Sequence, residues 1–392
     1  MKFKYFVLFG EKNPCDGVNK KIHAQISELK KHGINVEMNL LVEELGDYPT
    51  FNYLKIWPLS AKHQKFIINR FFRVLEINRI FHHCIKTLKP DDIFYCRYTT
   101  LSPIYYNIHY LKKRRACLLV TEHQTIESNE DRMNKDILPL LCDKLFGNFF
   151  RRQSDAIVGV TDEITHYQME RSGDLNMPII TIGNGIDVNS VIIRNAPSFD
   201  GANINLLFIA SDTSRWHGLD RILSGLLAYK GFIKILVHIV GNGPELTNLK
   251  KFTSFHKLNN QVKFHGFKTG EELDNFFNIC HIAIGSLGIH RKGLTMTSEL
   301  KAREYCARGI PYIIACGDPD FPDDFPYIFR VPPDESPIDI VSVIDFAQKV
   351  CSDPDHPKKM RKYAEENLDW SIKMKKLKGF LESLIEDPSS SA

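Results

Sequence analysis

The chain has 392 residues, a hydrophobic fraction of 43%, a charged fraction of 25% and a formal charge of +4. At ~150 residues per domain these values describe a folded soluble protein with two or three cores, and they exclude a disordered or fibrous chain. So small a positive excess gives no argument for nucleic acid, and none is expected as a partner.

Nine cysteines, an odd number without a Cys-x-x-Cys pair, indicate neither a disulfide framework nor a zinc knuckle and fit a reducing, cytoplasmic location. The apolar run at residues 5–9 is far too short for a signal peptide or a membrane span, so the chain is expected to stay inside the cell.

In chain order, residues 4–9 predict a first strand, 10–17 a loop carrying Pro14 and Gly17, 18–32 a helix closed by Gly33, and 34–42 a second strand. Between Lys62 and Lys89 the basic residues Lys62, Lys65, Arg70, Arg73, Arg79, Lys86 and Lys89 face one acid, Glu76. They alternate with Phe66, Ile67, Phe71, Phe72, Leu75, Ile80 and Phe81 at helical spacing. Two readings fit this segment: a helix lying on an anionic membrane, or a core-facing helix with a solvated basic back. Residues 92–96, 117–121 and 156–160 are further short strands with helices between them. This βαβ rhythm implies a parallel sheet covered on both faces, whose ligands sit at the carboxyl ends of the strands. Three features fall there: the Gly17 loop, Glu122 with His123, and Asp162 with Glu163 behind a capping Thr161. Each is equally open to a reading as ordinary loop or cap chemistry.

Residues 181–187 hold two glycines around Asn184, a pattern that lets the backbone turn tightly and approach a ligand. A joint over 188–203 leads to a second α/β rhythm. It begins with a strand at 204–210, a loop with Arg215, Trp216, His217 and Gly218, a helix at 219–229 and a strand at 235–240. Gly241-Asn242-Gly243-Pro244 follows, then a helix at 245–258, a strand at 262–265 ending in Gly266, and a helix at 271–278. Residues 282–285 form a strand, 288–293 a basic loop, then a helix capped by Thr297 or Ser298 and stopped by Gly309 and Pro311, and 312–315 another strand.

Arg291 and Lys292 ahead of that helix suit an anionic group, and Glu304 within it is an acceptor beside the anion. A nucleotide needs both, donors for its phosphates and an acceptor for its ribose; a surface helix of mixed charge is the competing reading. Asp318-Pro-Asp320 has the spacing of a hard-cation site, but it lies among Pro319, Pro322 and Pro326 and reads as loop, so no metal and no cofactor are expected. Helices at 338–351, 357–367 and 370–385 and a serine-rich tail at 387–392, expected to be disordered, complete the chain.

The succession over residues 183–315 resembles the signature of family 4 glycosyltransferases: an INGID-like turn, a cationic loop with His-Gly, Gly-x-Gly-Pro, Val-x-Phe-x-Gly and Glu-x-x-Ala-x-Gly-x-Pro. The resemblance implies an α/β chain of GT-B architecture, two Rossmann-like domains facing across a cleft. On it, 1–190 is the acceptor-side domain, 191–370 the donor-binding domain, and 371–392 a helix crossing back with its tail. It implies a hexosyltransferase using a nucleotide-sugar as co-substrate, without a metal and with retention, acting on a saccharide or lipid-linked saccharide in cell-surface polysaccharide biosynthesis. Peripheral contact with the inner face of the membrane would then run through 62–89.

Carried over, Glu304 holds the ribose, Gly241, Gly243 and Pro244 lie beside the base, and Gly17 belongs to the loop near the diphosphate. Asn184 sits in the ligand-side turn. His123 stands near the donor hexose and His217 takes the place of a phosphate-neutralising lysine, with Arg215 two residues before it; these three form the implied catalytic set. Where a Gly-Arg pair is expected the chain has Ala210-Ser211, so Arg215, Arg291, Lys292 or Lys301 must offset the diphosphate. Met296 stands eight residues before Glu304, where a first glutamate belongs, and Glu299 has the wrong spacing to replace it. The expectation is that His217→Lys is milder than Arg215→Ala. Two other functions remain, a GT-B nucleotide-sugar epimerase and a non-catalytic nucleotide-sugar-binding partner, the second suggested by Met296.

Overall fold

Near-continuous apolar runs make the strands of both sheets, as sheets covered on two faces require. The computed structural model describes residues 2–8, 17–42, 52–59, 67–89, 92–100 and 117–386. Two compact units divide the chain: Met1–Gly183 with Lys373–Ala392, and Asn184–Ile372.

The first unit runs β1 (Lys2–Leu8), α1 (Gly17–Lys31), β2 (Asn35–Val42), β3 (Leu54–Pro58), α2 (Ile67–Lys86), β4 (Ile93–Arg97), β5 (Leu118–His123), α3 (Glu127–Asn134), α4 (Ile137–Arg151), β6 (Ala156–Gly159), α5 (Asp162–Ser172) and β7 (Ile179–Thr181). Its strands pair in parallel in the order β3-β2-β1-β4-β5-β6-β7. The weakly patterned edge strands β3 and β7 are additions to the expected set. β3 buries none of its five residues fully and β7 is three residues long, so neither carries the apolar run of an inner strand.

Helix α2 buries Ile77, Phe81, Cys84 and Ile85 against Phe6, Leu41 and Phe94, which is the core-facing reading of this segment, while Phe72 and Leu75 stay exposed. Burying one such aromatic stabilises by ~2–3 kcal/mol. Residues 62–66 of the basic stretch, the 10–16 part of the Gly17 loop and the 387–392 tail lie outside the described residues.

The second unit runs β8 (Asn203–Ala210), α6 (Leu219–Ala228), β9 (Lys234–Gly241), α7 (Leu246–Phe255), β10 (Val262–Gly266), α8 (Gly270–Ile279), β11 (Ile282–Ile284), α9 (Leu300–Arg308), β12 (Tyr312–Ile314), β13 (Ile328–Arg330), α10 (Ile340–Cys351) and α11 (His356–Asn367). Helix α12 (Trp370–Glu386) starts in this unit and belongs to the first from Lys373 onward. The sheet is parallel in the order β10-β9-β8-β11-β12-β13, the 3-2-1-4-5-6 arrangement of a doubly wound dinucleotide-type fold with its switch point between β8 and β11.

The units part at Gly183 because the turn after it is tied to the end of the second unit: Ile186 bridges to Asp369, and a Cβ on Gly185 would lie 2.8 Å from the Trp370 ring. Helix α9 differs from expectation at its start. Neither Thr297 nor Ser298 caps it; Glu299 is the N-cap residue without a side-chain cap bond, because the Ser298 hydroxyl accepts the Asn184 N–H instead, at 2.7 Å. The C-terminal end is as expected, with Gly309 left-handed at φ 82°.

Candidate active site

At the switch point two loops leave the sheet side by side. After β8 comes a 3-10 turn over Arg215–His217, and after β11 another over Ile289–Lys292. The Leu287 N–H donates to the His217 carbonyl at 2.9 Å and the Gly288 N–H to the Trp216 carbonyl at 3.1 Å, so the loops are stitched by backbone. Glycine is needed where they touch: Gly218 has φ 64°, and a Cβ there would lie 2.7 Å from the Leu287 carbonyl carbon. Gly241 and Gly243 are equally constrained, since a Cβ on either would meet Ala210 O at 1.7 Å or Thr213 N at 2.1 Å. The demand comes from neighbouring backbone inside the unit.

Into this corner helix α9 delivers Glu299 and Lys301. Glu299 accepts the Ser286 N–H at 3.2 Å, and the Lys301 ammonium lies 3.7 Å from the same carboxylate oxygen and 4.6 Å from the Phe208 ring centroid. The side chains of Glu299 and Lys301 are each only 10% exposed. Burial lowers the Lys301 pKa, and Glu299 pulls it back up. His217 is buried, its Nδ1 accepting the Ser214 N–H at 2.9 Å. Burial first, then Lys301 and Lys292, hold its pKa well below the ordinary histidine value. The imidazole is therefore neutral and keeps its proton on Nε2, so His217 can offer a phosphate a hydrogen bond but not the charge of a lysine.

Arg215 is exposed, and its guanidinium makes no hydrogen bond or ion pair among the described residues. Lys292 stands over Trp216, 4.6 Å from the ring centroid. Three buried polar atoms near Glu299 and its neighbours, Lys301 Nζ, Ser286 Oγ and Asn184 Oδ1, have no hydrogen-bond partner among the described residues.

Other expected site residues have different surroundings. Arg291 is committed to both carboxylates of Asp220 and Glu335, at 2.7 and 2.5 Å, and is a strut between loops with no spare donor edge for a diphosphate. Asn184 is buried, donating to Ser298 through backbone and side chain and accepting from Arg303 Nε at 2.8 Å. Glu304 is partly exposed in the second turn of α9, where Arg308 Nε donates to it at 2.8 Å. Asp318 and Asp320 both hold the fully buried Arg303 guanidinium, which is the work the Asp-x-Asp does. Among the described residues no three metal-ligating side chains gather.

Gly17 and His123 belong to the first unit. Gly17 is the exposed first residue of α1. His123 ends β5, fully buried: Nδ1 pairs with Glu127 at 2.8 Å, Nε2 with Thr121 Oγ1 at 3.3 Å, and Tyr98 stacks on the ring at 4.5 Å. A ligand reaching either nitrogen has to displace one of these partners.

Residues 194–315 match the family model "Glycosyl transferases group 1". No curated protein matches the sequence. Among solved structures, a sucrose-phosphate synthase from Thermosynechococcus elongatus superposes with TM-score 0.72 at 12% identity, over 98% of this chain and 100% of that one. Anabaena HepE in complex with UDP-glucose superposes at 0.66 and 13%, over 98% and 100%. The lipopolysaccharide outer core galactosyltransferase WaaB does so at 0.63 and 16%, over 98% and 99%. Identities this low speak for the fold, which is that of the GT-B glycosyltransferases. With a glycosyl transferases group 1 domain in its second unit and a GT-B fold, this chain is a glycosyltransferase.

Proposed function

We propose that the protein transfers a sugar, with retention, from a nucleoside diphosphate sugar to a saccharide or lipid-linked saccharide in cell-surface polysaccharide synthesis. The observation that carries this reading is the charge at the switch point of the group 1 domain. Arg215, Lys292 and Lys301 lie on the two stitched loops and the start of α9, with Glu299 as the carboxylate beside them. Such a corner favours a diphosphate, and Glu304 five residues along the helix supplies a ribose acceptor. HepE, similar in fold, was solved with UDP-glucose, which supports the donor class.

In the reaction the bond between the sugar C1 and the diphosphate oxygen breaks with its electron pair on that oxygen. The acceptor hydroxyl oxygen bonds to C1 on the same face, and its proton passes to the departing phosphate. Donors already in place around the developing charge lower the barrier, each by ~3 kcal/mol. Neutral His217 and cationic Arg215 are the residues assigned to this work, and no metal takes part.

The chain acts from the cytoplasm, at the membrane face when the acceptor is lipid-linked; Phe72 and Leu75, exposed on the basic helix α2, support that contact. Among the described residues no helix is long and apolar enough to cross a membrane.

The experiment is thermal stability and nucleotide release with UDP-, GDP- and ADP-sugars, for the wild type and Glu304→Gln. One donor is expected to stabilise the wild type and lose its sugar slowly, and to do neither with the variant. A donor that binds but is never cleaved, with saccharide or lipid-linked acceptors present, overturns transfer in favour of a binding partner, and epimerised donor overturns it in favour of an epimerase.

A further inference from the structure

We propose that Glu299 and Lys301 together form the junction subsite of the donor, Lys301 holding a phosphoryl oxygen of the diphosphate and Glu299 a hydroxyl of the transferred sugar. This rests on the nucleotide-sugar reading above; it singles out Lys301 from the cations near the diphosphate and adds Glu299, which the sequence spacing does not assign.

The argument is one of unfinished polar chemistry. Lys301 has brought an ammonium into a place where nine-tenths of its side chain is covered, against the face of Phe208, without a hydrogen bond to its Nζ among the described residues. A buried ammonium without hydrogen bonds is costly unless something else completes it. Glu299, at 3.7 Å, is too far for a hydrogen bond and is already accepting the Ser286 N–H. The Glu299 carboxylate retains lone pairs, and the Ser286 hydroxyl beside it has no partner among the described residues. Cation, hydroxyl and carboxylate thus stand within one corner at the carboxyl end of β11. An anion beside a hydroxyl-bearing ring satisfies all three; an anion alone leaves the carboxylate in repulsion, and a neutral sugar alone leaves the ammonium unmet.

The other cations are less suited. Arg291 is held by two carboxylates, Lys292 is drawn over Trp216, and His217 is neutral. The charge that the turn after β8 lacks at Ala210-Ser211 enters instead from α9. Glu299 likewise makes up for Met296, which is held in backbone pairing with Gly317. It does so because the helix N-cap, and not the eight-residue spacing, brings a carboxylate to Ser286.

The two residues are separated by their opposite effects. Titration calorimetry is run with UDP, GDP and ADP, each beside its nucleoside and its sugar-bearing form, on wild type, Lys301→Met, Lys301→Arg and Glu299→Gln. Lys301→Met is expected to lose at least about tenfold of the preference for diphosphate over nucleoside, with nucleoside affinity unchanged and Lys301→Arg restoring most of it. Glu299→Gln is expected to bind the free diphosphate at least as well as wild type, and to lose the preference for the sugar-bearing form. Structural damage would weaken every ligand in both variants, and that result overturns the proposal, as does an intact diphosphate preference in Lys301→Met. Should Lys301→Met fail to fold, Glu299→Gln decides alone, since undiminished preference for the sugar-bearing form overturns the subsite. If the wild type binds none of the nucleotides, the nucleotide-sugar reading itself falls; if it binds and the variants discriminate normally, only the subsite does.

Discussion

His217 and Arg215 are two residues apart in one turn and answer to different physics. A histidine in a lysine's usual place suggests that restoring lysine would be mild. The structure argues the reverse for stability. Lysine at 217 loses the acceptor for the Ser214 N–H and sets another ammonium beside Lys301 and Lys292. His217→Lys is therefore expected to cost ~1–2 kcal/mol in urea unfolding. Arg215→Ala, at an exposed side chain without partners among the described residues, should leave unfolding within ~0.5 kcal/mol while weakening the donor. Equal unfolding free energies for the two variants would refute this assignment.

At the scale of elements, α9 is the part on which the site turns, since its first turns carry Glu299, Lys301 and Glu304. The helix is held at its far end by Gly309, where φ is +82° and an added Cβ would lie 2.5 Å from the Pro357 Cα. Gly309→Ala therefore meets both backbone strain and a steric clash that cannot be relieved by turning a side chain. It is expected to destabilise the second unit by more than ~1 kcal/mol, read as a lower calorimetric midpoint, and to weaken nucleotide binding with it. Of this element the sequence shows the helix, its stop and a glutamate in its second turn. It does not show the cap. Ser298 is drawn away by Asn184, more than a hundred residues earlier in the chain, and local capping rules see only the few residues around the helix start.

The whole molecule holds two units with separate sheets, so calorimetry is expected to resolve two unfolding transitions, and a bound donor should raise the second unit's alone. The first unit carries its own acid-sensitive group. Burial alone would raise the Glu37 pKa, but the Lys2 hydrogen bond and the Lys4 charge outweigh it and hold the carboxyl down at about 2 against an ordinary 4.5. A carboxyl held below its unfolded value adds stability that is complete above that value and disappears as pH falls through the folded one. The first transition is therefore expected to fall between about pH 5 and about pH 2, and Glu37→Gln to flatten that fall without moving the second. A pH response of the first transition that is unchanged in Glu37→Gln would rule this out.

What the sequence by itself determined was local and periodic: the alternation of strand and helix, two successive α/β rhythms, the glycine turns at 241–243 and the stop at Gly309. These follow from backbone freedom and from the spacing of apolar residues, both readable within a dozen positions. The tertiary structure alone decided what each charge meets. Arg291 and Lys292 are adjacent in sequence, yet Arg291 is neutralised by Asp220 and Glu335 while Lys292 stands over the Trp216 ring. His123 is enclosed by Glu127, Thr121 and Tyr98, and the Asp-x-Asp closes on Arg303. Glu299, discounted on spacing, meets the Ser286 N–H after β11, and Lys301 meets Phe208 of β8; both contacts join residues far apart in the chain, because β8 and β11 become neighbours only when the chain crosses between them.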